Sequence, residues 1–133
     1  MYPTYEEYLQ MPKSLPFNEM QELHAQILSG IGTDTEAKEL YEELIGASIT
    51  YASIRAQWLT LNREEKASTD SRRSSAHDSV ITHINVLARY LNMQGKETAW
   101  RDALGDEKED PNYRKRIGDF GCYLAFVNAL AAR

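Results

Sequence analysis

The sequence predicts an all-α protein: an irregular helical bundle built on a long helical hairpin plus a C-terminal helix, with short accessory helices. Three observations carry this. Apolar residues recur at spacings of three and four along most of the chain, no stretch of useful length alternates as a strand does, and glycine, proline and polar capping residues punctuate the periodic segments. At 133 residues, with 42% hydrophobic and 26% charged residues, the chain has the size and balance of one globular domain with its own core. We expect a single domain over 1–133, made of short N-terminal helices to residue 32, a hairpin over 33–95, and a short helix plus a core helix over 96–133.

Tyr2, Tyr5, Tyr8 and Leu9 share a helical face, so a short helix is expected over Pro3 to Met11, interrupted by Pro12 and Pro16. Asn18 with Gln21 has the spacing of a capping box, and Met20, Leu23, Ile27 and Leu28 form an apolar stripe that stops at Gly30-Ile31-Gly32. Thr33 with Glu36 repeats that spacing and opens the longest periodic segment. There Leu40, Leu44, Ala47, Tyr51, Ile54, Trp58 and Leu61 form a heptad-like seam. A helix from about Asp34 to Asn62 is roughly 45 Å long. Gly46 falls inside it without a proline, which predicts a close neighbour rather than a break.

Asn62 to Asp70 is polar and is expected to hold the turn. In the next helix, Ser71 to Gly95, Ala76, Val80, Ile84, Leu87 and Leu91 line one side, and Gly95 is placed to cap the C-terminus. At about 34 Å this helix is shorter than the one before it, so an end carrying Trp58 is expected to overhang. Lys96 to Leu104 allows two helical turns around Trp100 and Leu104. Asp110-Pro111 then opens a last helix with Tyr113, Ile117, Phe120, Leu124, Val127 and Ala131 at helical spacing. Gly118, Cys122, Ala125 and Ala129 form a strip of small residues on it, which would admit another backbone, with Gly46 and Ala47 as the expected contact.

Composition narrows the function. A net charge of −5 disfavours non-specific nucleic-acid binding. No apolar run reaches the roughly 18 to 20 residues of a membrane span, and the acidic, aromatic N-terminus is unlike a signal peptide. The single Cys122 lies in an apolar helical run, consistent with packing in a reducing, cytoplasmic compartment.

Candidate chemistry is sparse. His77 and His83 stand six apart, so on a helix they point about 120° away from each other and cannot share one ion. No HExxH motif is present, and Glu22-Leu23-His24 lacks the spacing of a bundle di-iron site. Glu39, Glu42 and Glu43 lack the second acidic pair of a magnesium-dependent pyrophosphohydrolase and read as a solvated face. Gly118-Asp119-Phe120-Gly121 matches a kinase metal motif in letters only, since every companion motif is missing. No catalytic residue, metal site or cofactor is assigned.

The arginines are more informative. Arg72-Arg73 and Arg114-Lys115-Arg116 are both expected in first helical turns, where positive charge opposes the macrodipole. Either nearby acids offset them, Asp70 and Asp78 for the first cluster and Asp106 to Asp110 and Asp119 for the second, or an anion does. Arg72, Arg73, His77 and Asp78 form the candidate anion site, with Arg114 and Arg116 as a second basic cluster. An up-and-down order of the three long helices puts the two clusters at opposite ends, unless the Trp100 segment crosses the whole bundle. Acids pairing both Arg72 and Arg73, with no cavity beside His77, would end the anion reading.

The segments SAHDSVITHINVLARYLNMQGK, WRDALGD and RKRIGDFGCYLAFVNAL together resemble an uncharacterised family of small bacterial helical proteins, mostly from Firmicutes, known as a domain of unknown function. The resemblance spans Ser71 to Arg133. It implies a bacterial cytoplasmic protein and transfers no activity. The leading expectation is therefore a non-enzymatic interaction or regulatory protein with a protein partner or a second copy, a homodimer burying the overhanging end of the hairpin. The alternative is a small-ligand-binding protein or enzyme with an anion site at the start of the Ser71–Gly95 helix, and a third is a toxin-immunity protein.

Overall fold

The computed structural model describes residues 13–105 and 113–131. Five helices account for most of them: α1 Phe17–Ile31, α2 Thr35–Trp58, α3 Arg63–Met93, α4 Ala99–Ala103 and α5 Tyr113–Ala131. There is no strand among the described residues, and the fold is all-α. The helix expected over Pro3 to Met11 and the Asp110-Pro111 cap lie outside the described residues.

The helix starts differ from those expected, and one difference matters for function. α1 begins at Phe17 behind Pro16, so Asn18 sits inside the first turn and makes no capping box. Its outward Leu28 is exposed, and Ile31 takes the core position instead. α2 is capped by Asp34 rather than Thr33. Asp34 Oδ1 accepts from the Ala37 N–H at 3.1 Å, while Oδ2 accepts from the Tyr90 hydroxyl at 2.8 Å and ties α2 to the end of α3.

α3 starts at Arg63, eight residues before the expected Ser71. Asn62 and Glu65 form a reciprocal capping box, with Oδ1 of Asn62 accepting from the Glu65 N–H at 2.9 Å and Glu65 Oε1 accepting from the Asn62 N–H at 3.0 Å. The turn is thus short, and Asn62 to Asp70, read as loop, is helical. The two helices have 24 and 31 residues, so α3 rather than α2 is the longer, by about 10 Å at the usual rise. The extra turns of α3 cover the end of α2. Arg73 Cζ lies 4.3 Å and Lys66 Nζ 5.9 Å from the Trp58 ring centroid, so the Trp58 ring is half-buried under side chains of α3, while Leu59 beside it is exposed. At the other end of α3, Gly95 has φ 76° and the Lys96 N–H reaches the Leu91 carbonyl at 3.0 Å, a Schellman-type stop.

Two glycines of α5 report how the long helices run. A Cβ at Gly118 would meet His77 and Tyr51, and one at Gly121 would meet Val80 and Ser48. Moving three residues along α5 therefore moves three residues forward on α3 and three backward on α2. Hence α5 is parallel to α3 and antiparallel to α2, in contrast to an up-and-down order. The return is made by the segment after α3: the Arg101 Nε–H donates to Asn85 Oδ1 at 2.7 Å, already well back along α3, and α5 opens beside His77. The small residues of α5 do admit other helices, but at Ser48, Tyr51, His77 and Val80. Gly46 is exposed, with nothing within 4 Å of where a Cβ would stand. The buried side chains form one cluster in which Val80, Ile84, Leu87, Leu91, Phe120 and Leu124 are wholly enclosed, each worth roughly 1.5–3 kcal/mol of burial.

Candidate functional site

Where α2, α3 and α5 converge, a cavity of about 360 Å³ is lined by Tyr51 and Arg55 of α2, Arg73, Ser74 and His77 of α3, and Arg114 and Lys115 of α5. Four of these side chains are cationic, and none of the described lining residues is a carboxylate. Local sequence explains the convergence. Tyr51 and Arg55, and likewise Arg73 and His77, stand four apart and so share a helix face. Arg114 and Lys115 fall in the first turn of α5, where backbone N–H groups and the helix dipole favour an anion. Gly118, one turn on, lets α5 approach so closely that a Cβ there would lie 2.8 Å from His77 Nε2.

His77 is buried and held on three sides. Its Nε2 is 2.7 Å from the Arg114 carbonyl oxygen, which can only accept, so Nε2 carries the proton. Nδ1 then accepts from Arg114 Nη2 at 3.2 Å. The Tyr51 ring stands edge-to-face against it, centroids 5.0 Å apart. Burial lowers the His77 pKa most; the Arg114 carbonyl bond works the other way, and the Arg114 charge adds to the lowering. Thus His77 is neutral with both nitrogens engaged, and its Nδ1 lone pair is taken for as long as the Arg114 guanidinium stays in place.

The three arginines of the cavity have different partners. Arg55 Nη1 is 2.6 Å from Asp119 Oδ1, deep between helices, and Asp119 Oδ2 accepts from the Ser14 hydroxyl at 2.6 Å and from the Ser14 backbone N–H. Arg114 Nη2 is 2.6 Å from Asp78 Oδ1 at the exposed rim. Arg73 lies over the Trp58 ring and meets a carboxylate only at 3.4 Å, that of Asp70, and its Nε–H is buried without a hydrogen-bond partner.

The candidate residues are thus partly assembled and partly dispersed. Arg73, His77 and Arg114 meet in one cavity, with Asp78 at its rim through Arg114. The two basic clusters, expected at opposite ends, face each other because α5 runs parallel to α3. Neither Arg72 nor Arg73 lies in a first turn; α3 begins two turns earlier, and the dipole argument for that cluster falls. Arg72 lines a separate groove with Ile49, Thr50 and Ser53, and Arg116 is half-buried and is not among the residues lining the cavity. Of Arg72 and Arg73, Arg73 meets an acid, Asp70 at 3.4 Å, and the cavity beside His77 is present.

Tyr51, Arg55 and Ser74 were not singled out by sequence for this site, and Asp119 was placed among the acids of the wrong cluster. A signal existed for Asp119: it is the only acid within Ile117–Phe126, an otherwise apolar or small helical run that is entirely buried, and a buried acid needs a cation. Gly118-Asp119-Phe120-Gly121 is a packing device, with two close approaches, one ion pair and one core ring. His83 Nδ1 bonds within its own helix to the Ser79 carbonyl at 2.7 Å, away from His77. His24 stacks on Tyr41 and bonds its hydroxyl at 2.8 Å. Burial pushes the Cys122 thiol up to about 11, too high for a nucleophile at neutral pH. Among the described residues, no group of three or more His, Cys, Asp or Glu could hold a metal ion, and no helix is long and apolar enough to cross a membrane.

Fold and site together define a class, an all-α bundle with a cationic cavity between three helices. Compared with models of known families, with curated proteins and with solved structures, the chain matches none.

Proposed function

We propose that the protein is a non-enzymatic regulatory protein that binds a small oxyanion of the phosphate or sulfate type between α2, α3 and α5, and presents its loaded state to a protein partner. The observation that carries this reading is the set of four cationic side chains from three helices around one cavity with no described carboxylate in its lining. Donors arriving from both α3 and α5 suit a tetrahedral anion better than a planar carboxylate, which one guanidinium fork satisfies. The unpartnered Arg73 Nε–H, the rim-exposed Arg114 guanidinium and the first-turn Lys115 are the groups we assign to it. Against a thiol-based enzymatic role stands Cys122, whose pKa burial pushes up to about 11. The buried lone Cys122 accords with a reducing, cytoplasmic setting.

Calorimetric titration with sulfate, and separately with inorganic phosphate, at constant ionic strength tests this. We expect saturable binding with one site. Because a charge-assisted hydrogen bond contributes about 1.5–3 kcal/mol, Arg73→Ala or Arg114→Ala should weaken binding by roughly 10- to 100-fold. Binding no stronger than that of chloride, or unaffected by both substitutions, would refute the reading.

A further inference from the structure

We infer that the cavity takes up its oxyanion together with one proton, which lands on Nδ1 of His77. This rests on the anion reading above and adds how that site is regulated.

The His77 ring has little freedom. Nε2–H is spent on the Arg114 carbonyl, Gly118 lies against the ring with no room for even a methyl group, and Tyr51 closes another side. Nδ1 is the variable position. It accepts from Arg114 Nη2 at 3.2 Å, a contact that exists only while His77 is neutral. The charged and titratable groups around the ring are Tyr51 and Arg55 from α2, Arg73 and the neighbouring Asp78 from α3, and Arg114 and Lys115 from α5. Asp119 pairs with Arg55, Asp70 meets Arg73 at 3.4 Å and Asp78 pairs with Arg114; burial first, and then the Arg114 and Arg55 charges, disfavour an imidazolium, with Asp78 acting the other way.

A bound dianion reverses that balance. The Arg114 guanidinium is at the rim and shared with Asp78, so it can turn from Nδ1 towards the anion. Nδ1 is then left without its donor, beside a double negative charge. A proton drawn from solvent or buffer restores a partner: the Nδ1–H bond forms as the bond to the proton's donor breaks, leaving that donor deprotonated, and Nδ1–H then donates to the anion. Burial lowers the pKa of His77 and favours the neutral ring, which a neighbouring dianion opposes. By linkage, anything that raises proton affinity on binding also raises anion affinity on acidification.

The test is calorimetry of sulfate on the full chain between about pH 5 and 8, at fixed ionic strength and in two buffers of different ionisation heat. Sulfate is the probe because it does not titrate in that range. We expect affinity to rise as pH falls, by at most tenfold per pH unit, with proton uptake approaching one per sulfate. In His77→Gln the pH profile should be flat and proton uptake absent, while His83→Gln should keep both. Sulfate binding that is independent of pH in the wild type, or equally pH-dependent in His77→Gln, overturns the proton coupling and leaves the anion site standing. No sulfate binding at any pH overturns the anion reading itself. Should His77→Gln fail to fold, imidazole NMR titration of the wild type decides: a His77 pKa that is higher with sulfate than without supports the coupling, and an unchanged one overturns it.

Discussion

Arg55–Asp119 and Arg114–Asp78 join cation to carboxylate at the same 2.6 Å, yet they are different kinds of interaction. In the first, the side chains are 13% and 0% exposed; in the second, 47% and 62%. Asp119 is also fastened by Ser14, so its charge is compensated from two directions and cannot be released without unpacking α5. Asp78 competes with water and can let go. Both arginines line the same cavity, so one wall of it is fixed and the other exchangeable. Distance alone says nothing about this; burial decides it.

The largest expected effect comes from breaking the fixed pair. Asp119→Ala leaves Arg55 buried beside Cys122 without its carboxylate and frees the Ser14 segment, and we expect a loss of about 3–5 kcal/mol in urea denaturation. A loss below about 1 kcal/mol would place this pair with the surface one.

Next comes the packing that brings the two walls together. Gly118→Ala puts a methyl group 2.8 Å from His77 Nε2 and 3.0 Å from the Tyr51 hydroxyl, and the doubly bonded ring cannot retreat. We expect about 1–3 kcal/mol of destabilisation, with weaker anion binding. Gly121→Ala meets Val80 Cγ1 at 3.0 Å, a side chain held by packing alone, and should cost less. Gly46→Ala meets nothing and should stabilise α2 by up to about 1 kcal/mol. Thermal melts of the three variants should rank in that order.

What sequence could reveal of this arrangement followed the apolar period. Val80, Ile84, Leu87 and Leu91 were legible as core because they repeat at helical spacing, and they are wholly buried. Asn62 to Asp70 was not legible as helix because those turns face solvent almost all round and so carry no stripe; only the Asn62–Glu65 capping box marked the start. That single misplacement moved Arg72 and Arg73 into a first turn and lengthened α2 at the expense of α3. The direction of α5 was unreadable for another reason. It depends on how far residues after Met93 travel back along α3, which no local pattern encodes.

Smaller than the packing effects is a pH dependence of stability. The His77 pKa is lowered by burial from its ordinary 6.5, so the unfolded chain binds this proton more tightly than the folded one. The stabilisation from neutral His77 is therefore complete above pH 6.5 and is lost as pH falls through the folded value. His24, also lowered by burial, contributes with the same sign, so the informative quantity is the wild-type profile minus that of His77→Gln. A difference that grows as pH rises through this window is expected; a flat one would mean that His77 is not held neutral. Sulfate should flatten the wild-type profile, since it favours the protonated ring in the folded state.

The smallest effect on stability, and the most telling for the exchangeable wall, belongs to Asp78→Asn. An exposed ion pair contributes about 0–1 kcal/mol, so the melt should barely move. Yet Asp78 is the acid that competes for the Arg114 guanidinium at the rim. Without its charge, Arg114 pays less to turn inward, and one negative charge near the anion is gone, so sulfate affinity should increase. The pair thus separates two roles that its short distance conceals: if Asp78 only shores up the fold, affinity stays level or drops with stability, whereas an affinity that rises while the melt holds marks Asp78 as the group the anion displaces.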